Sequence, residues 1–87
     1  MPTDFPYVLT EHARRRIIQR GISLEWIVRV LESPEQEEPD EEDPELYKAW
    51  GHIPESGDRL LCVVYNETTE PWRIVTVYFE RTRRGRL

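Results

Sequence analysis

The chain carries one cysteine, Cys62, which rules out an internal disulfide. That residue lies in an apolar run, where a buried, inert thiol is expected. Long hydrophobic stretches are missing as well. No run approaches the roughly 18 apolar residues that a spanning helix needs, so no membrane association is expected. The opening Met1-Pro2-Thr3-Asp4-Phe5-Pro6 has neither a basic region nor an apolar stretch and is not expected to be a signal peptide. The expected location is therefore the cytoplasm. There is no glycine-rich phosphate loop, no nucleophile elbow and no internal repeat. His12, His52 and Cys62 lack metal-ligand spacing, so neither a metal nor a cofactor is expected.

What is present fits one folded domain spanning residues 1–87, 38% hydrophobic and 33% charged. A core of this size supports a net stability on the order of 5 kcal/mol. The formal charge of -5 is unevenly placed. Residues 32–45 hold nine acids and no base, and the rest of the chain keeps eight acids against twelve Lys and Arg, a balance of +4. The acidic segment 35–45, with prolines at 39 and 44, reads as a mobile loop. It is either a solvated linker or a shield beside a basic site.

The fold expected is α+β. Two N-terminal helices pack on one face of a three- to four-stranded antiparallel sheet, in the order β-α-α-β-β-β. Tyr7-Val8-Leu9 is a short strand or a set of core-docking residues. Thr10 caps a helix that Gly21 stops after Arg20. Ser23 caps a second helix, whose apolar stripe is Leu24, Ile27, Val28 and Leu31 and which Pro34 ends. Trp26 and Val30 form a second face, suited to a sheet edge or a partner. Strands follow over 46–53, interrupted at Gly51, over 59–66 and over 72–80. In the last strand, alternation puts Val75, Val77 and Phe79 on one side and Ile74, Thr76 and Tyr78 on the other. The sheet face away from the helices is expected to be open to a ligand or a second chain.

The first helix holds the most informative pattern. Ala13 and Ile17 mark its buried side, and Arg20, Arg16 and His12 fan out beside them in steps of about 40°. Arg14 and Arg15 fall on the exposed side. Two readings stay open. The arginines pack their stems on the core edge and pair with acids, or the trio forms an anion site. Arginine binds phosphate through a two-pronged contact, and histidine exchanges a proton near neutral pH. Metal-free cleavage of RNA needs those abilities. Arg59, Thr76 and Tyr78 on the strands could complement them. Tryptophan and tyrosine stack on unpaired bases, and Trp50 shares a strand face with His52. Arg15 on the helix and Arg81, Arg83 and Arg84, in the basic tail 81–87, are candidate nucleic-acid contacts.

Leu9-Thr10-Glu11-His12-Ala13-Arg14-Arg15-Arg16 followed by Gln19-Arg20-Gly21-Ile22-Ser23 resembles the opening signature of the DUF4258 family. Arg59-Leu60-Leu61-Cys62-Val63-Val64 and Ile74-Val75-Thr76-Val77-Tyr78 are similar to its core strands. Domains of this family are similar to small bacterial nuclease toxins of the barnase/EndoU/colicin/RelE type. The resemblance implies metal-independent RNA cleavage, with His12, Arg16, Arg20 and Arg59, and Thr76 or Tyr78, at the matching positions. The implied partners are RNA and a cognate antitoxin or other protein, with the chain acting as a monomer or homodimer. RelE-like toxins are strongly basic, and this chain departs from them with a pI near 5.0. The competing expectation is a non-catalytic protein-interaction module, or a homo-oligomer, using the open sheet face and Trp26.

Overall fold

The computed structural model describes residues 5–81. In chain order the elements are β1 (Val8–Leu9), α1 (Glu11–Arg20), α2 (Leu24–Glu32), β2 (Gln36–Pro39), β3 (Leu46–Ile53), a 3-10 turn at Pro54–Ser56, β4 (Arg59–Asn66) and β5 (Arg73–Glu80). The architecture is α+β, but the sheet is larger than expected and mixed. Its five strands lie in the order β1-β5-β4-β3-β2. The β2–β3, β3–β4 and β4–β5 pairs are antiparallel, whereas β1 pairs parallel to β5. No helix among the described residues is long and apolar enough to cross a membrane.

The extra strand comes from the acidic segment. Residues Gln36 to Pro39 pair with β3, from Gln36 opposite Trp50 to Pro39 opposite Tyr47, so this stretch is not a loop. An edge strand bonds on one side only, which lets it tolerate acids and a proline that a central strand would refuse. The turn that follows is built by its own carboxylates. Asp40 Oδ2 accepts the backbone N–H groups of Glu42 and Asp43, at 3.0 and 2.9 Å. Those two bonds hold the Asp40 carboxyl below its ordinary pKa, and Lys48 lies 3.7 Å away.

Both helices cover one face. Helix α1 packs on β5, and α2 crosses β3 and β4. Ala13, Ile22, Ile27, Val30, Leu31, Ala49, Ile53, Leu61, Val63, Tyr65, Ile74 and Val77 form the core between them. In α2 the buried residues are Ile27, Val30 and Leu31. The stripe is therefore centred nearer Val30 than the expected set implied, and Val28 stays at its margin. Gly51 does not interrupt β3. It marks the place where α2 comes closest, because a Cβ there would lie 3.1 Å from Val30 Cγ2.

A bulge reverses part of the expected alternation in β5. Val64 pairs with Thr76 and Tyr65 with Ile74, which leaves Val75 as the extra residue. Ile74 therefore joins Val77 in the core under the helices, and Val75 moves to the other face. The bulge also connects to α1. Thr10 Oγ1 accepts the Ala13 N–H at 3.1 Å as the helix cap and donates to the Val75 carbonyl at 3.0 Å. The Thr10 N–H donates to Ile74 O at 3.1 Å. One residue thus starts the helix and fastens it to the strand.

The face away from the helices is not open at its centre. Trp50, Leu60, Cys62 and Val64 form a second buried cluster, none more than 6% exposed, flanked by Leu46, Val75 and Tyr78. Trp26 is half-buried against the core and meets the Phe79 ring edge-on at 6.5 Å, so its face of α2 is directed at the sheet.

Candidate functional site

Helix α1 reads EHARRRIIQR, with four arginines and one glutamate. Ala13 is fully buried and Ile17 half-buried, which fixes how the helix lies on the sheet. His12, Arg16 and Arg20 then climb one side on successive turns, each about 6 Å of rise beyond the last. His12 and Arg20 are exposed and Arg16 is half-buried. Arg16 donates to the Gln19 amide oxygen at 3.0 Å. Arg15 reaches Glu11 at 3.6 Å, an exposed pair worth little. Among the described residues, no carboxylate forms an ion pair with His12, Arg16 or Arg20. The helix is capped at its far end by Gly21, whose φ of 63° is the left-handed conformation that glycine accepts most readily.

Arg59 stands at the start of β4, on the face that carries the helices. Its Nε donates to the backbone and side-chain oxygens of Ser56, both at 3.2 Å, and its NH2 to Ser56 Oγ at 2.6 Å. Its Cζ lies 3.8 Å from the centre of the Phe79 ring. The neighbouring Glu55 is engaged elsewhere. Arg29 donates to both its oxygens, at 2.8 and 2.7 Å, and lowers its pKa to about 2.

The remaining sequence candidates are placed differently. Trp50, Thr76 and Tyr78 belong to the opposite face, so the sheet separates them from α1. Trp50 is enclosed there and does not present its ring. Tyr78 is half-buried. Desolvation first, then its hydrogen bond with the Cys62 thiol, raises its pKa. The expected alternation placed Tyr78 away from Phe79, and that part holds. Joining it to His12 in one site would require passing through the sheet. Arg81 is exposed just beyond β5, and Arg83 and Arg84 lie outside the described residues.

Two arrangements escaped sequence reading. One is the Ser56–Arg59–Phe79 stack, whose members are held by a turn and by cross-strand neighbours. The other is Glu35, which accepts the His52 backbone N–H at 2.8 Å and meets its ring Nδ1 at 2.7 Å. The backbone bond is the main reason that the Glu35 carboxyl lies below its ordinary pKa. The parity of His52 on β3 was legible, but nothing in the sequence marked which of the many acids it would meet. Among the described residues, no group of three or more His, Cys, Asp or Glu side chains is gathered to hold a metal ion.

Charge is sorted across the sheet. Basic α1 sits on β5, and the acidic strand β2 is the far edge, three strands away. At about 4.8 Å per strand, that is roughly 14 Å. The Debye length at physiological salt is about 8 Å. The acids of β2 are thus too distant to shield α1.

The fold and its basic helix define a small α+β domain of two helices on a five-stranded mixed sheet. Residues 9–79 match the family model described as Domain of unknown function (DUF4258), and the chain belongs to that family. No curated protein and no solved structure matches it.

Proposed function

We propose that the chain binds RNA along α1 and cleaves it without a metal, as a relative of RelE-like ribonuclease toxins. The observation that carries the reading is that His12, Arg16 and Arg20 rise on one side of a surface helix with no carboxylate paired to them among the described residues. Arg16, Arg20 and Arg59 hold the phosphate, and their charge offsets what builds up on phosphorus in the transition state. His12 takes the proton from the 2′-hydroxyl. The 2′-oxygen bonds to phosphorus, the bond to the 5′-oxygen breaks, and the leaving oxygen receives the proton from the imidazole. The products are a 2′,3′-cyclic phosphate and a 5′-hydroxyl. Tyr78 has no part in this scheme. A cognate antitoxin would be the protein partner.

The test is to induce the wild-type chain and His12→Ala in bacteria and to follow growth and extracted RNA. Slow growth with fragmented RNA for the wild type alone is expected. Equal growth and intact RNA in both cultures would remove the proposal of cleavage. Binding is tested separately by anisotropy of a labelled single-stranded RNA across a salt series. Arg16→Gln/Arg20→Gln removes two phosphate contacts and should make the salt slope shallower by about 1.4.

A further inference from the structure

Among the described residues, the Arg59 guanidinium is fixed without forming an ion pair. An exposed arginine is ordinarily either mobile or paired with an acid. Here two of its nitrogens are anchored on Ser56, and its Cζ lies over the Phe79 ring, 3.8 Å from the ring centre. Phe79 is in turn half-buried and braced edge-on by Trp26 at 6.5 Å. Both supports are uncharged, and the adjacent Glu55 is occupied by Arg29. Arg59 nevertheless remains exposed, on the same side of the sheet as α1. The result is a flat, positively charged plate held over an aromatic ring on a residue that stays exposed to solvent.

We infer that this plate is a stacking subsite for one unpaired base of a single-stranded RNA. The inference rests on the proposed function and deepens it by naming the substrate class. Unpaired bases stack on guanidinium planes as they do on aromatic rings, and a base within a duplex cannot lay its face on such a plate. Phe79 keeps the plane from tilting, so little ordering is needed when a base arrives. A phosphate-only role for Arg59 does not need this stack. Lysine keeps the positive charge that attracts a phosphate but has no plane on which a base can lie.

The experiment compares two labelled strands of equal length, a single-stranded RNA and its abasic counterpart, against wild type, Arg59→Lys and Phe79→Leu. A stacked base contributes about 1–3 kcal/mol, which converts to roughly 5- to 150-fold tighter binding of the strand with bases. Arg59→Lys should erase that preference and leave the salt slope unchanged. Phe79→Leu should weaken the preference, and a melting curve shows whether it folds. An internal 2-aminopurine should be quenched by wild type and not by Arg59→Lys. Equal binding of both strands by wild type would overturn the subsite, as would a full preference in Arg59→Lys. RNA binding lost in Arg16→Gln/Arg20→Gln would still stand in those cases. Failure of the broader reading looks different: that double variant would match wild type on both strands. Wild type binding neither strand would overturn both.

Discussion

Replacing Thr10 with valine removes one hydroxyl and keeps the size and branching of the side chain. That hydroxyl has two duties. It caps α1 by accepting the Ala13 N–H at 3.1 Å, and it satisfies the carbonyl of the bulged Val75 at 3.0 Å. Loss of an N-cap costs about 0.5–2 kcal/mol. A part-buried carbonyl deprived of its donor adds about 1 kcal/mol or more. The sum is roughly 2–3 kcal/mol, a large share of a stability on the order of 5 kcal/mol. For a domain of this length each kcal/mol moves the midpoint by about 4–8 °C, so Thr10→Val should melt about 8–24 °C lower by circular dichroism. Thr10→Ser keeps both bonds and should stay within a few degrees of wild type. A Thr10→Val protein that melts with Thr10→Ser would refute the reasoning. Helix and strand would then be joined by packing alone.

Two further outcomes follow from packing and charge. Gly51→Ala should destabilise by about 1–2 kcal/mol in urea unfolding, because the new methyl lies 3.1 Å from Val30 Cγ2 and a β-branched side chain on a helix has little rotamer freedom to give way. Gly51→Ala combined with Val30→Ala should recover part of that loss. The Glu55 carboxyl should titrate near pH 2 by NMR, and Arg29→Gln should return it toward 4.5. Its folded pKa is depressed. The stability it lends is therefore present above pH 4.5 and lost as the pH falls toward 2.

Local signals in this chain were readable where local chemistry decides the outcome. Thr10, Gly21 and Ser23 cap or stop their helices as their side chains and backbone freedom require. The three long strands were legible from apolar runs and alternation. Strand β2 was not, since its composition is that of a solvated linker and its pairing with β3 is made by the backbone, which sequence composition does not report. The parallel pairing of β1 joins residues 65 positions apart, and no short-range pattern announces it. The side swap of Ile74 and Val75 follows from one extra residue, invisible to a period-two reading. At the candidate site the α1 trio was legible because helical spacing is regular. The support of Arg59 by Phe79 was not, because the two stand twenty positions apart and meet only through the pairing of β4 with β5.

The sorting of charge between α1 and β2 makes the domain an electric dipole whose two ends differ in more than sign. A long polyanion approaching in solution exerts a torque on such a body, pushing the acid-rich border away and swinging the arginine-bearing helix forward. Encounters would then be orientationally filtered before any contact forms. An overall charge of -5 is compatible with fast approach of a polyanion when the anionic rim trails behind.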